Sequence, residues 1–214
     1  MIFSRNKEIF LPLFFLLTVV SFTGVYAQEK AVTKLKSGNL IFDSVPLNLE
    51  EITNSANRIF TGICTSIEEI ENDTESKNLS VVKFKFKVTE AIKGITSDDE
   101  ITLKFWRPAA KGANYKVGEK YILFLYKDSD LGFTSPVGYL QGQFQVEKTG
   151  ANRKVEFVRN KLSNKGIYRN IKTQRTINLK KDKILNDYIS KSSEEGKPIR
   201  YKDFVQTVRY LIKE

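Results

Sequence analysis

Val81-Val82-Lys83-Phe84-Lys85-Phe86-Lys87-Val88 decides how this chain folds, with Thr89-Glu90-Ala91-Ile92-Lys93-Gly94 running on from it. Val82, Phe84, Phe86 and Val88 alternate with Lys83, Lys85, Lys87 and Thr89. A period of two is the signature of a strand with one face buried and the other in water. The three lysines keep the outer face wet, and Gly94 ends the element where a tight turn needs positive φ. The stretch before it alternates as well, with Ile59, Thr61, Ile63, Thr65 and Ile67 set against Phe60, Gly62, Cys64 and Ser66. Both sets contain apolar residues, which predicts a central strand, and Gly62 marks a bulge or a close backbone approach. The acidic segment 68–78 turns the chain between them, so the two strands form a long hairpin.

Further along, Ile101, Leu103 and Phe105 share one face of a third strand, which Arg107-Pro108 stops. A loop containing Gly112 follows. Tyr121-Ile122-Leu123-Phe124-Leu125-Tyr126 is a continuous apolar run, the pattern of a strand buried on both sides. Residues 137–146 read as a sharply curved strand with Gly138 and Gly142 at its bends, and 154–158 as a short closing strand. Upstream, Asn48 is a good N-cap, Glu50 and Glu51 suit the positive end of a helix dipole, and Leu49, Ile52 and Ala56 share a face. Downstream, residues 179–189 look helical through Ile184, Leu185, Tyr188 and Ile189, until Gly196-Lys197-Pro198 breaks the pattern. Tyr201, Phe204, Val205, Val208, Leu211 and Ile212 then mark an amphipathic helix expected to pack on the strands. These elements predict an all-β fold with flanking helices. Its centre is an OB-like antiparallel β-barrel over residues 45–158, with a basic extension carrying two helices over 159–214.

Three runs carry a resemblance to a known family: Ser55-Ala56-Asn57-Arg58-Ile59-Phe60-Thr61-Gly62, then Phe84-Lys85-Phe86-Lys87-Val88-Thr89-Glu90-Ala91-Ile92-Lys93-Gly94, then Val117-Gly118-Glu119-Lys120-Tyr121-Ile122-Leu123-Phe124. In order and spacing they resemble the tissue inhibitors of metalloproteinases and netrin-like domains. The layout, with its Gln141-Gly142-Gln143-Phe144 step, also resembles uncharacterised exported bacterial proteins. The resemblance implies an OB fold. It implies no inhibitory site, because those inhibitors chelate zinc through an N-terminal cysteine that this chain lacks. Fold transfers by this route and function does not.

Residues 1–27 read as an address. Arg5 and Lys7 precede an apolar run over 9–20, and Val25-Tyr26-Ala27 places small residues at −3 and −1 of a cleavage before Gln28. An uncleaved anchor is the alternative, since 9–27 carries no charge. Together these features predict a Sec-type signal peptide, a linker over 28–44, and an exported protein in the periplasm, on the cell surface or outside the cell. No transmembrane span then remains after cleavage.

Composition narrows the chemistry further. The chain has no histidine, which removes Ser-His-Asp and Cys-His catalysis together with the usual zinc sites. A single cysteine, Cys64, cannot form an internal disulfide and reads as a small buried hydrophobe. The acids Glu68-Glu69-Glu71 and Asp98-Asp99-Glu100 lack the spacing of a calcium loop and read as solvated turn charge. No catalytic, cofactor-binding or metal-binding residue is therefore assigned. The net charge of +10 is concentrated over 153–183, where eleven lysines and arginines face only Glu156 and Asp182. Lys161, Lys165, Arg169, Lys172, Arg175, Lys180 and Lys181 are the candidate anion-binding residues, and Trp106 and Arg107 a candidate exposed contact. The expected function is an exported, non-enzymatic binding module that takes a protein or peptide partner through its barrel loops. The alternative is a binder of anionic polymers or anionic membrane surfaces through 153–183; export argues against nucleic acid. A carboxylate-only enzyme is the third and least supported reading.

Overall fold

The hairpin forms where the alternation places it. In the computed structural model, which describes residues 46–96, 99–149, 155–169, 171 and 196–212, β1 (Arg58–Asp73) and β2 (Leu79–Lys93) run antiparallel, with Cys64 opposite Phe86 and Ile67 opposite Phe84. The register shifts between Thr61 and Gly62 and again between Cys64 and Ser66. A Cβ at Gly62 would sit 2.9 Å from the Phe60 ring and 3.1 Å from the Lys87 carbonyl oxygen, so the irregularity falls where only glycine fits without a shift. Gly94 closes β2 at φ +63°, as its position requires.

β3 (Glu100–Trp106) pairs with β2, and β4 (Lys120–Leu125) pairs with the first half of β1 on its other side. β5 (Gln143–Thr149), β6 (Val155–Asn160) and the two-residue β7 (Ile199–Arg200) extend the sheet beyond β4. The order is β3-β2-β1-β4-β5-β6-β7, antiparallel throughout, and the sheet is not closed. Two isolated bridges, Lys104 to Phe133 in parallel and Leu125 to Pro136 in antiparallel sense, set the segment 133–136 against both β3 and the end of β4. Three helices complete the described residues: α1 (Leu49–Ser55), α2 (Arg107–Ala113) and α3 (Tyr201–Ile212). The mostly antiparallel β architecture with flanking helices is as the sequence predicts.

The sheet has a core on each face. On one, Phe60 and Cys64 of β1, Val82, Phe84, Phe86 and Val88 of β2, and Ile101, Leu103 and Phe105 of β3 meet Tyr121, Leu123 and Leu125 of β4. Tyr115 plugs this core, its ring edge-on to Phe84 at 4.9 Å and to Phe86 and Tyr121 at 5.1 Å. On the other face, Ile122 and Phe124 of β4 pack with Phe144, Val158, Ile199, and the apolar sides of α1 and α3. β4 is thus buried on both sides, as its unbroken apolar run predicts. α1 begins with a full capping box: Asn48 Oδ1 accepts from Glu51 N, and Glu51 Oε2 accepts from Asn48 N, both at 2.9 Å.

Several local expectations are corrected. The stretch after β3 is helix α2 and not a loop, with Pro108 in its first turn, where the missing N–H costs nothing. Residues 137–142 form a turn, and the strand expected over 137–146 begins only at Gln143. There Gly142 lies so close to Val137 that a Cβ would come within 2.6 Å of its carbonyl oxygen. The closing strand runs to Asn160, not 158. Beyond it, Ile167, Ile199 and α3 join the same core as β4, β5 and β6. By contacts the chain divides into Met1–Asp43 and Ser44–Glu214, and every described residue belongs to the second unit. The linker expected over 28–44 and the helix expected over 179–189 lie outside the described residues. No described helix is long and apolar enough to cross a membrane.

Candidate functional site

A short helix must dispose of its last carbonyls, and the way α2 does so builds a polar cleft. Asn114 ends it in the left-handed conformation at φ +49°. The Ala113 carbonyl then accepts from Gln143 Nε2 at 2.6 Å, and the Gly112 carbonyl from Lys161 Nζ at 2.8 Å. Strand β5 and the turn after β6 are thereby drawn against the end of α2. The space between them is about 240 Å³ and is lined by residues of the α2–β4 connection, β5, the end of β6 and the turn over 161–163.

Its wall combines four amides, Asn114, Gln143, Gln145 and Asn160, with five charged side chains. Gln143 is 4% exposed, and its Oε1 is buried with no hydrogen-bond partner. Gln145 Nε2 donates to Glu119 Oε2 at 2.9 Å, and the same oxygen accepts the Tyr121 hydroxyl at 2.7 Å. Burial, and then the carboxylate beside it, pushes the Tyr121 hydroxyl well up, so it stays protonated and donating. Lys116 Nζ lies 3.6 Å from the other Glu119 oxygen. Asn160 shapes the far side: its Oδ1 accepts from Leu162 N and Asn164 N, and Asn164 Oδ1 accepts from Asn160 N. That reciprocal pair folds the chain back at positive φ through Ser163 and Asn164.

The charges do not balance. Glu119 is already shared by Lys116, Tyr121 and Gln145, whereas Arg159, opposite Gln145, makes no ion pair among the described residues. Partial burial without a counter-charge pushes the Lys161 ammonium below the ordinary lysine range. Glu147 is the remaining acid on the lining. Such a cleft can accept hydrogen bonds through amide oxygens while offering two cations. Among the described residues no group of three or more histidines, cysteines, aspartates or glutamates is placed to hold a metal ion. Cys64 is fully buried, with burial raising its thiol pKa.

In comparisons with known proteins, no protein-family model matches the chain and no curated protein matches it.

The residues expected from the sequence fall in three places. Lys161 reaches into the cleft, while Lys165 and Arg169 are exposed on the same turn, Arg169 lying against Gly166. Lys172, Arg175, Lys180 and Lys181 lie outside the described residues. Trp106 is 52% exposed at the end of β3. Arg107 beside it is engaged with Glu69 at 2.9 Å and Glu71 at 2.5 Å, bracing the arm of β1. Gln143, Gln145, Asn114 and Asn160 were not foreseen as a site. Gln143 and Gln145 alternate with Phe144 and Val146 and so read as a wetted face. The one available signal was the glutamine directly after Gly142, at a position where a barrel strand was expected.

Proposed function

We propose that this protein is an exported, non-enzymatic binding module that takes a protein or peptide partner at the cleft between α2, β5 and the turn after β6. The observation that carries this reading is the polar cleft itself, its wall shared by amides and charged side chains, with a buried glutamine oxygen left without a donor. Buried polar groups are nearly always paired, and an unpaired one beside a cleft calls for a donor from outside or for water. The lining comes from connections and strand ends, where binding residues concentrate on a rigid frame.

The OB-like reading of the frame has its own support. Starting at β1 and passing through β2 and β3, the segment 133–136 bridges in parallel to β3 and antiparallel to β4, which returns to β1. Helix α2 lies between β3 and β4 in the chain, and its Ala110 and Ala113 enter the core those strands share. The two isolated bridges support the reading of the frame as a partly open OB-like barrel. β5 to β7 and α3 are then additions on its outer side.

Placing a photo-cross-linking residue at Asn114, on the cleft, and in parallel at Thr102, on the exposed face of β3, tests the reading in the native compartment. A discrete adduct from position 114 alone is expected. The same adducts from both positions, or none from 114, would remove the assignment. The three exposed cations Lys161, Lys165 and Arg169, with no acid among residues 161–169, keep the anionic-surface reading as the alternative. Salt-sensitive retention on heparin that disappears when these three are neutralised would favour it.

A further inference from the structure

We infer that the cleft recognises the carboxy-terminal end of a peptide chain, its free carboxylate held by Arg159 and Lys161 and its last amide groups by Gln143 and Gln145. The inference deepens the binding-module reading and rests on it.

Size comes first. Pockets for drug-sized molecules run to roughly 300–1,000 Å³, so 240 Å³ is room for one or two terminal residues. Chemistry comes next. Amide side chains match peptide N–H and C=O groups in kind, and Gln143 Oε1 lacks a donor that a peptide N–H supplies. Gln143 cannot turn its amide round, because its Nε2 is committed to the Ala113 carbonyl. The unmet requirement is therefore for a donor.

Charge decides which end of the peptide enters. The lining carries three cations, Lys116, Arg159 and Lys161, against two acids, and an amino terminus would bring a fourth cation. Glu119 is already shared by three groups, which leaves only the exposed Glu147 at the rim to receive it. A carboxylate meets the opposite situation. Lys161 spends one N–H on the Gly112 carbonyl, and the Arg159 guanidinium makes no ion pair among the described residues. Capture of a terminal carboxylate is an established way of reading a chain end without reading much sequence. No aromatic ring face borders the cleft, since Tyr121 is itself 2% exposed, so the stacking that a sugar ligand uses is missing.

The test uses the full chain and the tripeptide Gly-Ala-Ala with its amino end acetylated, once as the free acid and once as the C-terminal amide. Titration calorimetry at low salt should show the acid binding roughly 10- to 100-fold more tightly, the worth of a charge-assisted contact. Arg159→Gln, on the exposed rim, should bring the acid down to the level of the amide while leaving the circular dichroism spectrum unchanged. Lys161→Gln should act in the same direction. Equal affinities for acid and amide, binding of neither at millimolar concentration, or acetate binding as tightly as the peptide acid would each overturn the inference. If Asn114 still cross-links to a partner in that event, the binding-module reading stands and only the ligand class is lost.

Discussion

Four consecutive residues, Gln141-Gly142-Gln143-Phe144, do four different jobs. Gln141 Oε1 accepts from Leu47 N at 2.6 Å, which fixes the chain just before α1. Gly142 leaves room for the Val137 backbone. Gln143 caps α2, and Phe144 enters the core 4.7 Å from the Phe204 ring. None of these roles follows from the local pattern. Each depends on a partner supplied by a distant part of the chain, and short-range periodicity carries no record of that partner. Gln143→Leu would leave the Ala113 carbonyl without its donor while filling similar volume. A loss of about 1–3 kcal/mol is expected from urea unfolding. An unchanged midpoint would mean that water replaces the amide, and that Gln143 does not hold the helix end.

Among the elements, the long strands were legible and the short connections were not. β1 to β3 announce themselves because sustained alternation is hard to read otherwise, and β4 because a short unbroken apolar run bounded by polar turns suits a strand buried on both faces. α2 is seven residues long and contains both proline and glycine, so Arg107-Pro108 reads as a stop; it is at once the end of β3 and the start of a helix. Residues 137–142 misled in the other direction, since glycines at a strand bend and glycines in a turn look alike. The arm of β1 and β2 beyond Cys64 carries its own electrostatic brace. At its tip Lys104 Nζ lies 3.2 Å from Asp73 Oδ2 and from Glu75 Oε2, and 3.1 Å from Ser76 Oγ. The Ser76 hydroxyl first, and then Lys104, hold the Asp73 carboxyl below its usual value. A carboxylate depressed in the folded state contributes stability that is complete above its unfolded pKa, about 4, and is lost as pH falls through the folded value. The stability gap between the native chain and Asp73→Asn should therefore be constant above about pH 5 and shrink in stronger acid. A gap independent of pH down to acid unfolding would show that the brace is idle.

At the scale of the molecule, one sheet serves two cores, and its only thiol reports on one of them. Cys64 is covered by β2, β4 and the Tyr115 plug, and fully buried. Thiol labelling should be negligible in the native protein and should rise with denaturant in step with the global unfolding curve. Fast labelling that ignores denaturant would mean that the arm opens by itself.

The strand between those cores has an unusual problem of alignment. In a sheet with one wet side, a shift by one residue drives apolar groups into water, and solvent enforces the correct match. Residues 121–125 find oil in both directions, so the same shift would leave every side chain dry and merely ill-fitting. What distinguishes right from wrong there is volume, together with one phenol tethered to Glu119 and the Lys116 N–H. Tyr121→Phe removes that single polar bookmark. Doubled amide resonances along β4 are the expected sign, even where overall stability barely moves, and a single sharp set would show that shape alone keeps the place.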